Sequence, residues 1–262
     1  IQGVGQALPH LQMRAPSEQV QREHHICDAA SGLLHVEHQV TFTAHETIQS
    51  KVCFERMAAE HGTLIQHYHM DNGVFKSKDF MNEIADNNQA IRFSGVSAKW
   101  QNGVAKNSIK LAITCAHSLM IHASLHWPDE YDESLWPMAI SYAVHLYNHT
   151  PNRETGIAPI KVFTGTLSNY QALRNAHVWG SPAYVLEPRL TDSGNKIPKW
   201  QPRSRLGQFL GVSPLHAENI SLIWDVRTGY ISPQFHTVID EWFETVTSAD
   251  HLQEPKCWEQ LT

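Results

Sequence analysis

Residues 63–73 read TLIQHYHMDNG, a strand-like run that stops at a polar corner. Thr63 to Met70 reads as an extended segment, and Asp71-Asn72-Gly73 supplies the short polar side chains and the glycine that reverse a chain sharply. Upstream, Leu34, Val36, Val40 and Phe42 follow a period-two pattern interrupted only by His38, as a half-buried strand does. Between these two strands, Thr43 followed three residues later by Glu46 makes a capping box. Ile48, Val52 and the Phe54–Met57 turn then give a helical stripe that stops at Gly62. Downstream, Ser77 caps a short helix through about Ala85, and Ala90 to Phe93 is a further short strand after the Asn87-Asn88 break. Strands alternating with helices imply an α/β layered domain.

The next segment, GVSAKWQNG (95–103), reads as a loop. Beyond it Ala105, Ile109, Ala112, Ala116, Leu119 and Ala123 recur at helical spacing, which predicts a helix of roughly twenty residues ending before Pro128. Another amphipathic helix is predicted from about Ser134 through Tyr147, where Pro137 is tolerable because it falls in the first turn. After Pro151 a Gly/Pro-punctuated connection leads to VWGSPAYVL and then to a basic stretch holding Lys196, Lys199, Arg203 and Arg205. QFLGVS, ISLIWDV and YISPQFHTVI follow, rich in β-branched and aromatic residues and separated by turns such as Arg227-Thr228-Gly229. The reading is therefore an irregular arm over 1–22, an α/β core over 23–170, a small β-rich extension over 177–243 and a loose tail over 244–262.

With 42% hydrophobic and 18% charged residues, the 262-residue chain has the means to bury a core. Its 20 Lys+Arg against 26 Asp+Glu leave a formal charge of −6, so a polyanion partner has to meet a local basic patch. No run of about eighteen apolar residues and no leader pattern is present, so the sequence predicts neither a membrane span nor secretion and is expected to act inside the cell. The four cysteines, Cys27, Cys53, Cys115 and Cys257, are widely spaced, which suggests neither a disulfide framework nor a zinc finger. His24-His25 with Cys27, and His67 with His69, have chelating spacings, yet no second pair sits at a finger-like distance. The chain begins at Ile1 without an initiator methionine, which leads us to expect a piece of a longer protein.

Three stretches in order, ASGLLHVEHQVTFTAHET (30–47), HYHMDNGVF (67–75) and RFSGVSAKWQNGVAK (92–106), together resemble the integrase region of copia-type retrotransposon polyproteins, within the retroviral integrase superfamily. WGSPAYVLEP and PRSRLGQFLGVSP…RTGYISPQFHTVIDE are similar to the β-rich extension of those polyproteins, so the resemblance spans about residue 26 to 245. It implies a ribonuclease-H-like fold lacking its first strand here, followed by an SH3-like extension. It also implies metal-dependent polynucleotidyl transfer that integrates DNA, with Mg²⁺ or Mn²⁺ as the cofactor of intact relatives. Such chemistry needs three carboxylates at one sheet edge, because two hard cations must flank the scissile phosphate.

The resemblance assigns the second carboxylate to Asp71, in the D-N-G turn. The third belongs after N-G-V-A, where Asn102-Gly103-Val104-Ala105 is followed by Lys106. An ammonium at contact distance opposes a divalent cation by several kcal/mol at an effective dielectric near twenty. The first carboxylate has no counterpart: residues 1–27 contain no Asp, Glu23 stands in the wrong context, and Asp28 matches a non-catalytic position. Metal binding is thus expected to be absent or weak, and the copy catalytically incomplete. For nucleic acid the candidates are Lys99, Trp100, Lys106 and Lys110 around the long helix, and Lys196, Lys199, Arg203 and Arg205 in the basic run. DNA is the expected partner, with self-association possible, no membrane and no small-molecule cofactor, and the nucleus is the place of action if the protein is active. The alternatives are a non-catalytic nucleic-acid-binding or assembly module, and a decaying element fragment.

Overall fold

The computed structural model describes residues 13–14, 20, 22–41, 43–71, 73–95, 99–127, 130–166, 171–187, 198–217 and 219–246. In chain order the elements are β1 (Met13–Arg14), β2 (Arg22–Cys27), β3 (Leu34–Gln39), α1 (Ala44–Glu60), β4 (His67–Met70), α2 (Lys78–Asp86) and β5 (Ala90–Phe93). Then come α3 (Gly103–His126), α4 (Trp136–His149), α5 (Pro159–Thr164), α6 (Gln171–Arg174), β6 (Pro182–Leu186), β7 (Ser204–Val212), β8 (Ser221–Asp225), β9 (Tyr230–Gln234) and β10 (Thr237–Ile239). The fold is mixed α/β. It forms two compact units, one from 18–118 with 136–174, the other from 1–17, 119–135 and 175–262. The helix α3 contributes its part through Ser118 to the first unit and the remainder to the second.

In the first unit β2 and β3 form an antiparallel hairpin with Cys27 opposite Leu34, and β4 and β5 run parallel with Met70 opposite Phe93. Among the described residues these are two separate two-stranded ladders. A two-stranded ladder is marginal alone, so packing against helices must hold both. Leu33, Phe54, Ala58 and Phe163 make one buried cluster, Tyr68, Met70, Phe80 and Ile84 another, and Ile65 packs against both. Each fully buried Leu or Phe contributes about 1.5–3 kcal/mol. Asn148 on α4 completes the hairpin's start: its Oδ1 accepts from Leu34 N at 2.9 Å and its Nδ2 donates to Leu34 O at 2.7 Å.

The helix starts follow their sequence signals. Thr43 Oγ1 accepts from Glu46 N at 3.3 Å at the head of α1, and Ser77 Oγ accepts from Phe80 N at 3.3 Å at the head of α2. Glu46 reaches back past the cap, accepting from Thr41 N at 2.9 Å. Several elements differ from the sequence reading. The strand predicted from Thr63 is confined to His67–Met70, because the pairing with β5 begins at His67 opposite Ala90 and Thr63 N donates instead to Ala58 O at the end of α1, 2.9 Å. The strand predicted from Leu34 to Phe42 closes at Gln39, and Phe42 lies outside the described residues. The polar segment Arg22–Cys27, in which no strand was predicted, is β2: its alternating set Glu23, His25 and Cys27 faces His38, Val36 and Leu34 across the hairpin. Two histidines in that run conceal the period, since a neutral imidazole can be buried like an apolar ring.

The second unit is built on a six-stranded sheet in the order β1-β9-β8-β7-β6-β10. YISPQFHTVI divides at Phe235-His236 into β9 and β10, and Met13–Arg14 from the supposed arm pairs antiparallel with Ile231 and Tyr230. Gly180 permits the close approach of α3's last turns: its φ is +80°, and a Cβ there would stand 2.7 Å from Ala123 Cβ. Trp127 Nε1 donates to Gly180 O at 2.7 Å. The tail beyond Val246 lies outside the described residues.

Lys51 on α1 is fully buried, its Nζ 3.0 Å from Glu55 Oε2 and 3.4 Å from Glu83 Oε1 on α2, and 5.9 Å from the centroid of the Tyr68 ring on β4. Tyr68 OH donates to Glu55 Oε1 at 2.7 Å, and Gln89 Nε2 donates to the same oxygen. Burial, then the hydrogen bond to Glu55 and that carboxylate's charge, push the Tyr68 phenol far up, so it stays a donor. We expect the double variant Glu55→Gln/Glu83→Gln to lose about 3–5 kcal/mol in urea unfolding, because it leaves a buried ammonium uncompensated. Lys51→Met should cost less, since both carboxylates retain some access to water.

Buried histidines set a pH dependence. Burial is the largest cause that pulls His24 on β2 and His145 on α4 from 6.5 to about 4, neighbouring His25 and His149 respectively adding to it, and burial also lowers His38 on β3. His24 Nδ1, His38 Nδ1 and His145 Nε2 are buried without a hydrogen-bond partner. Between about pH 6.5 and 4 the unfolded chain binds protons that the folded chain excludes, so stability is full above about 6.5 and falls as the pH drops toward 4. The expected slope is on the order of 1 kcal/mol per pH unit per histidine. Urea midpoints from pH 7.5 to 4 check this, and a flat profile contradicts it.

Candidate nucleic-acid interface

Asp71 follows directly on β4, at the carboxyl end of the parallel β4–β5 pair, and is exposed. The backbone hydrogen bond from Ser94 N to Met70 O, 2.9 Å, continues the ladder one step past Phe93 and fixes the strand end that carries Asp71. Asn72, the middle residue of the D-N-G corner, lies outside the described residues, while Gly73 and the 3-10 turn Val74–Lys76 lead on to α2. Lys106 is the fourth residue of α3 and is exposed, and Lys110 is exposed one turn later. Lys99 and Trp100 lie in the 3-10 turn Lys99–Asn102 that runs directly into α3; their side chains are outside what is described.

The residues that the resemblance assigns do not fit a pair of hard cations. Asp71, directly after β4, is a carboxylate, whereas Lys106, in the first turn of α3, is a point positive charge with no acceptor. Asp28 is engaged elsewhere: its Oδ2 accepts from Ser31 N at 2.8 Å and from Ser31 Oγ at 2.6 Å, which closes the β2–β3 turn. Glu23, opposite His38 on the hairpin, has His25 Nε2 3.5 Å from its Oε1. Among the described residues no group of three or more His, Cys, Asp and Glu side chains is placed to hold a metal ion.

A groove of about 690 Å³ opens at the other end of the β4–β5 pair, where Gln66, His67 and Ala90 meet Glu55, Glu83 and Gln89. Its carboxylates already serve Lys51, Tyr68, Gln89 and Asn87.

The candidate cations divide between the units. Lys106 and Lys110 belong to the first; Lys199, Arg203 and Arg205 belong to the second. Lys196 lies outside the described residues. Arg205, on β7, has its Nη1 3.4 Å from Asp225 Oδ2, while Asp225 Oδ1 accepts from Arg227 N and Thr228 N, both at 3.1 Å. That guanidinium is therefore part of a turn-stabilising cluster. Lys199 and Arg203 are exposed. Trp200, passed over in the sequence reading, is 68% exposed with Lys199 Nζ 5.1 Å from its ring centroid. The run Pro198-Lys-Trp-Gln-Pro202, an aromatic beside a cation between two prolines, is the signal that marks it.

No family model and no curated protein matches the chain. Among solved structures it is similar to the HTLV-2 integrase catalytic core domain in complex with magnesium, at 19% identity and TM-score 0.40, over 54% of this chain and 83% of that one. It is similar to the simian T-cell lymphotropic virus intasome in complex with the PP2A regulatory subunit B56 gamma, at 16% and 0.45, over 88% and 76%. A third is the BIV integrase catalytic core domain, at 15% and 0.40, over 55% and 85%. Among the described residues no helix is long and apolar enough to cross a membrane.

The charge at Lys106 is testable directly. Mn²⁺ titrated against thermal unfolding should leave the wild-type midpoint unchanged, whereas Lys106→Glu should acquire a metal-dependent rise that Asp71→Asn in the same background removes. Metal at a hundredfold over its Kd stabilises by about 2.7 kcal/mol. A comparable rise in the wild type contradicts the misfit.

Proposed function

We propose that this chain is the ribonuclease-H-like core of a copia-type integrase with its β-rich extension, a protein that holds DNA without completing two-metal strand transfer itself. What supports this reading is a pair of positions along the chain. Asp71 ends the first strand of a parallel pair, and 35 residues on Lys106 stands in the first turn of α3, where the resemblance calls for a carboxylate. A carboxylate there would complete an anionic pocket for magnesium or manganese; an ammonium opposes cations and favours phosphate instead. The two separate ladders of the first unit suit a core whose first strand is not among the described residues. In a chain of net charge −6, a polyanion requires local positive surface; exposed Lys106 and Lys110 offer it on the first unit, and exposed Lys199 and Arg203 offer it separately on the second. Self-association and a nuclear place of action belong to the same reading.

Fluorescence anisotropy with a labelled DNA duplex tests it. We expect binding that weakens steeply with salt, is indifferent to Mg²⁺ or to chelator, and yields no strand-transfer product. Lys106→Gln should lower the magnitude of the log–log salt slope by about 0.9, the value of one released phosphate contact. Magnesium-dependent joining of DNA ends by the wild type, or no binding at low salt, overturns the proposal.

A further inference from the structure

The second unit gathers exposed aromatic rings and cations at one end of its sheet. β6 lies between β10 and β7, with Thr237 opposite Val185 and Leu186 opposite Ser204. One step beyond, Leu186 N donates to His236 O at 3.0 Å and Glu187 N donates to Arg203 O at 2.9 Å, so the β9–β10 turn and the segment entering β7 flank the same strand end. The first brings Phe235, 56% exposed, its ring centroid 4.9 Å from that of His236. The second brings Arg203 and, in a turn closed by Gln201 N donating to Pro198 O at 3.0 Å, Lys199 and Trp200.

This turn is pre-organised. Pro198 and Pro202 fix φ on either side of it, and the chain enters the ladder immediately afterwards through Arg203. The exposed Trp200 indole leaves apolar area unburied that folding would otherwise remove from water. Two exposed aromatic rings and two cations at one strand end suit a strand of nucleic acid: bases stack on rings, and an ammonium and a guanidinium meet phosphates. A duplex keeps its bases stacked on one another and offers the rings no free face. Among the described residues, Glu187 is a carboxylate at the same strand end, its backbone N donating to Arg203 O.

We propose that this end of the β-rich unit is a binding site for single-stranded DNA, with Trp200 and Phe235 as stacking platforms and Lys199 and Arg203 as phosphate contacts. The inference rests on the reading of the chain as a DNA-binding protein and adds the form of the ligand and the residues that select it.

The test compares a labelled single-stranded oligothymidylate with a duplex of equal length, using the full chain and anisotropy at several salt concentrations. Trp200→Ala should weaken single-strand binding at least about fivefold with its salt slope unchanged, Trp200→Phe should restore most of the loss, and duplex binding should be unaffected. Lys199→Gln and Arg203→Gln should each reduce the single-strand slope by about 0.7, and Glu187→Gln should tighten binding. Trp200→Ala with single-strand affinity within about twofold of wild type, or an equal loss on duplex, overturns this site while leaving DNA binding intact. A wild type that binds neither form overturns both this site and the reading beneath it.

Discussion

A single buried ammonium organises the first unit. Lys51 sits with no access to water, and an ion so placed is tolerated only where opposite charge and hydrogen bonds replace its hydration. Glu55 comes from the same helix, Glu83 from α2, and the π face of Tyr68 from β4. The three elements must therefore keep their mutual positions for the charge to remain satisfied. Neither two-stranded ladder has the strands to stand alone, and the clusters around Phe54 and Phe80 supply the apolar adhesion. The ion cluster adds direction to that adhesion, because a carboxylate and a ring face satisfy an ammonium only from particular sides. The strand end that presents Asp71 is thereby anchored from behind.

In the proposed function the sign of one side chain separates two chemistries. A site built of carboxylates collects divalent cations, and through them the phosphate between. With Lys106 in the first turn of α3, the proposal has a cation meet the phosphate directly and gives up the means of activating the attacking and leaving oxygens. Affinity for a polyanion and competence in transfer are separable properties, and the proposal takes the first.

The two units present their cations in different company. On α3, Lys106 and Lys110 stand one turn apart on a regular helix. On the β-rich unit Lys199 and Arg203 are accompanied by rings, and Arg205 is held by Asp225 within the β8–β9 turn. A basic run in sequence thus contains residues with unlike tasks, and only their partners tell them apart.

By itself the sequence determined the features that depend on neighbours a few residues away. The capping Thr43 and Ser77, the 3.6-residue stripe that buries Ala112, Ala116 and Ala123, the strand Ala90–Phe93 and the turn at Arg227-Thr228-Gly229 were all legible, because each is a local rule of hydrogen bonding or periodicity. It did not disclose that Arg22–Cys27 is a strand, that Met13–Arg14 pairs with β9, that Lys51 is buried, or that Trp200 and Phe235 stand at one sheet end. Those are decided by partners far along the chain: histidines become core groups only when a hairpin and helices enclose them, and a lysine is interior only when carboxylates from two helices meet it. Tertiary structure alone chose them, since burial and long-range pairing are properties of the enclosing surfaces and not of the residue enclosed.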